Sequence, residues 1–190
     1  MTPPARAVVI GASAGAVQAL LRILPALPAA YPWPIIVVVH VPPDRSNVLV
    51  PLLRDRCKLR VKEADDKEPL LPGVAYFAPS DYHLLVEAEA SVALSADEPV
   101  NYSRPSIDVL FDSAADAYGE GLTGVILSGA NEDGAKGLAR VVARGGTAVV
   151  EDPEAAYASI MPAAALVACV AARKMTLDEI GAHLLELGTA

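Results

Sequence analysis

Apolar residues along this chain come in two kinds of run. The first is short and apolar at every position: Ala7-Val8-Val9-Ile10, Ile35–Val39 and Gly124-Val125-Ile126-Leu127. Runs with no polar face predict central strands of a parallel sheet, covered on both sides. The second kind recurs every three or four residues, as one face of a helix does. Val17, Leu20, Leu21 and Leu24 make one such stripe, and Val48, Leu49, Leu52 and Leu53 a second. Ile107, Val109, Leu110, Ala114 and Tyr118 make a third, residues 135–143 a fourth, and Leu177, Ile180, Leu184 and Leu187 a last.

Shorter strands are predicted over 59–62, Val74–Phe77 and 147–150, with a solvated charged loop at 63–68. His83–Glu87 and 91–94 flank a polar break, which predicts an antiparallel hairpin at a sheet edge. Pro25 and Pro28 end the first helix, and Pro42-Pro43 turns the chain out of the second strand. Ser46 is placed to cap the following helix, and Thr176-Leu177-Asp178-Glu179 spells a capping box for the last one. A short helix is expected over 153–159, and Met161-Pro162 starts another, over 163–168. Strands alternating with helices predict an α/β fold: a three-layer, doubly wound sandwich, its sheet mainly parallel, with right-handed crossovers. No linker divides the 190 residues, so one domain over 1–190 is expected.

Composition narrows the function. The chain is 53% hydrophobic and 20% charged, with a formal net charge of −8. That balance argues against a nucleic-acid binder with a broad basic surface and against attraction to anionic lipid. The first residues lack the apolar core of a signal peptide, and the apolar stretches at 35–39 and 163–172 are too short to span a bilayer. Cys57 and Cys169 form no metal-ligand or CxxC pattern. They are expected as reduced thiols of a soluble, cytoplasmic protein without membrane insertion.

The chemistry concentrates in one small-residue loop, Gly11-Ala12-Ser13-Ala14-Gly15-Ala16, between the first strand and the first helix. Such a turn suits a phosphate cradle, a nucleotide turn or a nucleophile turn. Ser13 follows the first strand, His40 ends the second, and Asp133 lies in the loop after the 124–127 strand. Carboxyl ends of parallel strands gather at one sheet edge, and sites form there. A serine, a histidine and a carboxylate at three such ends are the parts of a hydrolytic triad. Each also has a structural reading: a helix cap for Ser13, a satisfied core imidazole for His40, turn chemistry for Asp133 beside Gly134. Glu132 is a rival carboxylate that spacing does not separate from Asp133. His83 in the hairpin and His183 on a solvated helix flank are weaker candidates.

A dinucleotide site is the main competitor. The Gly11 and Gly15 spacing is not GxGxxG, and the second strand ends in His40 where a ribose-binding carboxylate belongs. No tyrosine is followed four residues later by a lysine, as a short-chain dehydrogenase requires. A P-loop is excluded because no Gly-Lys-Ser/Thr follows the turn.

Read together, several motifs resemble the catalytic domain of the CheB-type protein-glutamate methylesterases, the chemotaxis receptor demethylases. They are Ile10-Gly-Ala-Ser-Ala-Gly15, Val39-His-Val-Pro-Pro43, Leu71-Pro-Gly-Val-Ala-Tyr-Phe-Ala-Pro79, Arg104-Pro-Ser-Ile-Asp-Val-Leu-Phe111, Gly124-Val-Ile-Leu-Ser-Gly129 with Asp133-Gly134, and Met161-Pro162. The resemblance covers nearly the whole chain. It implies Ser13 as nucleophile, His40 as base and Asp133, rather than Glu132, as triad acid. It implies an oxyanion hole from the backbone of Ala14 and Ala130, and Arg104 as a candidate substrate-binding residue. The implied reaction removes methyl esters from receptor glutamates, with deamidation of glutamines by the same chemistry, and needs no metal or organic cofactor. The implied partner is the cytoplasmic helix region of a methylated chemoreceptor.

The chain departs from the family pattern at Ala16, usually Gly, at Ala130-Asn131, usually Met-Gly, and at Ile160, usually Gly. Typical family members carry an N-terminal phospho-receiver domain, which these 190 residues do not include; the expectation is either a stand-alone esterase, which the Met-Thr-Pro-Pro start favours, or a catalytic domain separated from its receiver, with a separate regulatory receiver protein as a candidate partner. The alternative from another class is a catalytically idle receptor-binding module of the same fold.

Overall fold

The computed structural model describes residues 5–40 and 48–189. Its spine is β1 (Ala7–Ala12), fully buried along its length. The chain continues through α1 (Ala16–Ile23), β2 (Ile35–Val39), α2 (Leu49–Arg56), β3 (Arg60–Glu63), β4 (Val74–Phe77), β5 (His83–Glu87) and β6 (Ser91–Ser95). It ends with α3 (Ile107–Tyr118), β7 (Leu122–Ile126), α4 (Ala135–Ala143), β8 (Thr147–Glu151), α5 (Ile160–Ala168), β9 (Arg173–Met175) and α6 (Leu177–Leu187).

Seven strands form one sheet in the order β3-β4-β2-β1-β7-β8-β9, every neighbouring pair parallel. Side chains alternate across it, as strand geometry requires. Val8, Ile10, Ile35 and Val37 pack with Leu20, Ile23, Leu53 and Ile180 of α1, α2 and α6. Val9, Ile36 and Val38 pack on the opposite face with Leu110, Phe111, Leu138 and Met161 of α3, α4 and α5. Two buried faces explain why these strands are apolar throughout: each fully buried Val, Leu or Ile contributes about 1.5–3 kcal/mol. From β1 the chain winds one way through β2 and β4; from β7 it winds the other way through β8 and β9. The gap between β1 and β7 is therefore the switch point, where α/β sheets open a crevice at their carboxyl edge.

The structure differs from the sequence expectation at the hairpin, over residues 153–159 and at the edge strand β9, which no apolar run predicts. The hairpin forms as a separate two-stranded sheet, β5-β6, and not on an edge of the large sheet. Leu84, Val86 and Val92 give it an apolar face that joins the α3 side of the core, and the Val86 N–H donates to Ser113 Oγ of α3 at 3.0 Å. Residues 153–159 form turns instead of a helix, because Asp152 takes the Ala155 and Ala156 N–H groups and the Ala158 backbone bonds to the loop after β7. The helix after it starts at Ile160, one residue before the expected Met161-Pro162 start, with Pro162 in its first turn, where no N–H is required. The expected capping box at Thr176 is present, with both reciprocal bonds. The Ser46 cap and the turn at Pro42-Pro43 lie outside the described residues.

Candidate active site

The register of the central strands places the first two candidates side by side. Ala12 pairs with Val39, so Ser13 and His40 are the next positions outward on adjacent strands. The His40 N–H donates to Ala12 O at 3.2 Å, and the Ser13 N–H donates to Ser128 O, just past β7, at 2.9 Å. Ser13 is thus fixed between the ends of β2 and β7. The chain turns into α1 through Gly15, whose φ of 87° lies in the left-handed region. A Cβ there would stand 2.7 Å from Tyr157 Cβ and 2.8 Å from Ser128 Oγ, so only glycine fits.

Asp133 is 1% exposed. A buried carboxylate must be hydrogen-bonded, and this one accepts five bonds. Its Oδ2 accepts from His40 Nε2 at 2.8 Å and from the Ile107 N–H at 2.6 Å. Its Oδ1 accepts from Asn101 Nδ2 at 2.7 Å, from Ser106 Oγ at 2.9 Å and from the Asp108 N–H at 3.2 Å. Two of these donors are free N–H groups of the first turn of α3, whose dipole also favours an anion. Burial pushes the Asp133 carboxyl up, but the bonds from His40, Ile107, Asn101 and Asp108 outweigh it and hold it below the usual carboxylate range. Glu132, the rival in sequence, is exposed to solvent and makes none of these bonds.

An ionised Asp133 only accepts, so the facing Nε2 carries the imidazole proton. In neutral His40 the other nitrogen, Nδ1, then holds the lone pair. That nitrogen lies 3.1 Å from Asn131 Nδ2. Asn131 Oδ1 is already taken by the Asp133 N–H at 3.0 Å, which fixes the amide with its NH2 toward His40. Among the described residues, no hydrogen bond joins Ser13 Oγ to His40.

The Ala14 and Ala130 N–H groups donate to no acceptor among the described residues. The loops that carry them are tied together by Ser128, whose hydroxyl donates to Ala14 O at 2.7 Å and accepts from the Ala158 N–H at 2.7 Å. Buried Glu151 takes the Ser128 N–H at 2.8 Å, and burial pushes its carboxyl up despite that bond. A groove of about 740 Å³ runs beside Asp133, lined by Tyr102, Asn131, Lys136, Ile160 and Val167 among others.

Arg104 stands elsewhere. Its Nε and Nη2 reach Asp81 Oδ1 at 3.0 and 2.7 Å, and Nη1 donates to Ala96 O and Asp97 O. The guanidinium is committed to joining its own loop to the hairpin, and Arg104 does not line the groove. His83 is buried, with Nε2 bonded to Glu98 O and Nδ1 accepting the Ser106 N–H, so it supports the start of α3. His183 was expected in solvent; it is half-buried on α6, its Nε2 shielded and without a partner among the described residues. No cluster of three or more His, Cys, Asp or Glu placed to hold a metal occurs among the described residues.

Sequence reasoning missed Asn101 and Ser106 as holders of Asp133, and Ser128 and Glu151 as ties between the loops. Ser106 carries the signal of an N-cap, yet its hydroxyl leaves its own helix for Asp133. Asn101 carries a weaker one: it is among the few residue types that tolerate a left-handed φ, here 52°.

Known proteins resemble this chain over most of its length. A Leptospira interrogans protein provisionally named protein-glutamate methylesterase/protein-glutamine glutaminase is 42% identical over 181 residues, covering 95% of this chain and 94% of the relative. A Pseudomonas putida protein-glutamate methylesterase/protein-glutamine glutaminase is 38% identical over 185 residues, which are 96% of this chain and 50% of that protein. The chain therefore spans nearly all of the first relative and about half of the second. The crystal structure of the Thermotoga maritima CheB methylesterase catalytic domain superposes with a TM-score of 0.90 at 36% identity, covering 96% of this chain and 98% of that one. The family model described as CheB methylesterase matches residues 8–184, and the chain belongs to that family.

Proposed function

We propose that the chain is a serine hydrolase that removes methyl esters from glutamate side chains of chemoreceptors, using Ser13, His40 and Asp133. The observation that carries this reading is the His40 Nε2 to Asp133 Oδ2 bond of 2.8 Å at the switch point, beside the loop that presents Ser13. Neutral serine is a poor nucleophile and needs a base to take its proton. Asp133 holds the imidazole with Nε2–H inward, so the lone pair that takes the serine proton is that of Nδ1.

In this mechanism Ser13 Oγ attacks the ester γ-carbonyl and its proton passes to His40 Nδ1. The Ala14 and Ala130 N–H groups take the oxyanion; one such donor is worth about 3–4 kcal/mol in the transition state. The imidazolium, stabilised by Asp133, gives its proton to the departing methoxide, which leaves as methanol. Water then attacks the glutamyl-Ser13 ester, its proton goes to His40, and the glutamate carboxylate is released. Glutamine follows the same path with ammonia leaving, in keeping with the relatives' names as glutaminases. The exposed Tyr102, Ile160 and Val167 beside the groove suit an apolar helix face of the receptor. A receptor segment facing the cytoplasm places the enzyme there, and no helix among the described residues is long and apolar enough to cross a membrane.

The test is mass spectrometry of receptor-helix peptides carrying a glutamate methyl ester or a glutamine at one position. Conversion of either to glutamate by the wild-type chain supports the reading. Binding of the peptides without conversion of any of them favours the idle docking module.

A further inference from the structure

We infer that Asn131 is a positioning residue that latches the base: its amide occupies His40 Nδ1 and must be displaced before Ser13 can give up its proton. The inference rests on the proposed roles of Ser13 and His40. An imidazole nitrogen offers one in-plane lone pair, so Nδ1 accepts a single good hydrogen bond. In this structure that bond comes from Asn131 Nδ2 at 3.1 Å, and no hydrogen bond connects Ser13 Oγ to the ring. The amide is not free to turn over. Its oxygen accepts the Asp133 N–H at 3.0 Å, and rotation by half a turn would set oxygen against the Nδ1 lone pair and NH2 against that N–H.

The same residue that caps the base therefore also braces the loop carrying the acid. Asn131 lines the groove beside the site, so a substrate arriving there meets the latch directly. A glycine at this position has no side chain to offer Nδ1, and a chain with glycine there has no such latch.

A fluorophosphonate probe tests this without any receptor. Ser13 Oγ forms the phosphorus–oxygen bond, the phosphorus–fluorine bond breaks, fluoride leaves and the serine proton goes to His40 Nδ1. Labelling rates of the full chain are compared for wild type, Asn131→Ala and Ser13→Ala, with the labelled residue located by mass spectrometry. Releasing one neutral hydrogen bond predicts labelling of Asn131→Ala about three- to ten-fold faster than wild type. An equal or slower rate in Asn131→Ala overturns the latch and leaves the Ser13 assignment standing. Wild type and Asn131→Ala both unlabelled at Ser13 overturn the nucleophile assignment, and the latch with it. The second readout uses wild type alone: nitrogen-15 spectra should show a coupling through the hydrogen bond between Asn131 Nδ2 and His40 Nδ1. A His40 Nδ1 resonance without that bond overturns the latch even where the variant does not fold.

Discussion

His40 Nε2 and Asp133 Oδ2 lie 2.8 Å apart, and the same Oδ2 accepts the Ile107 N–H at 2.6 Å. The acid is thus seated on the first turn of α3, which is fixed in the core by Leu110 and Phe111. Orientation of the imidazole depends on a helix that contributes no reacting group. The nitrogen that meets the acid is Nε2, whereas in the chymotrypsin-type triad Nδ1 faces the acid.

Asp133→Asn sets an NH2 group or a weaker acceptor against five donors. With Asp133 in its proposed role, activity is expected to fall by about 10⁴, as when the acid of the chymotrypsin-type triad is replaced by its amide. Stability is expected to fall by about 1–3 kcal/mol, the cost of leaving a buried donor unpaired. Ester hydrolysis and urea denaturation measured on one preparation check both.

Asp133 also predicts an acid limb of stability. Its folded-state carboxyl is held below the usual range, so the unfolded chain binds the proton more readily. The stabilisation is fully present above the unfolded carboxylate value, about pH 4, and is lost as pH falls through the folded value. The melting-temperature gap between wild type and Asp133→Asn should therefore narrow below about pH 4. A gap constant down to acid pH contradicts the seat on α3.

Gly15→Ala forces an L-residue to φ 87° and sets a methyl group against Tyr157 Cβ and Ser128 Oγ. The backbone alone costs about 1–2 kcal/mol. Moving Ser128 also shifts the loop that holds Ser13 N–H, so activity should fall further than stability. Denaturant midpoints and turnover on the same variant separate the two effects.

Cys57 follows α2, and burial pushes its thiol up to about 11. Burial also raises the Cys169 thiol. Because the thiolate is the reactive form, both should alkylate with iodoacetamide far more slowly near neutral pH than a free cysteine. Rapid loss of either thiol at that pH contradicts the packing around it.

Much of this was legible in the sequence, for physical reasons. Ile35–Val39 shows its place by being apolar on both faces, and Thr176 with Glu179 shows its cap by reciprocal spacing. The Ser13 loop, His40 and Asp133 lie at one sheet edge because strand ends of a parallel sheet share it, and His40 and Asp133 meet there. The strand β9 was not legible: it is three residues long, with Arg173 and Lys174 exposed at the sheet edge. The hairpin was legible as a hairpin, but alternation alone does not say which surface its apolar face meets. The bonds of Asn101 and Ser106 to Asp133 were hidden because they span 32 and 27 residues and follow no local period. The bonds of Arg104 to Asp81 were equally hidden, because a lone arginine carries no sign of which carboxylate it pairs with.

Methanol release from a methylated receptor fragment tests the central claim most directly, with wild type compared to Ser13→Ala. The account predicts release by wild type and its reduction by about 10⁶ in Ser13→Ala, the scale seen when a hydrolase nucleophile is removed. A Ser13→Ala variant that releases methanol at the wild-type rate would contradict it.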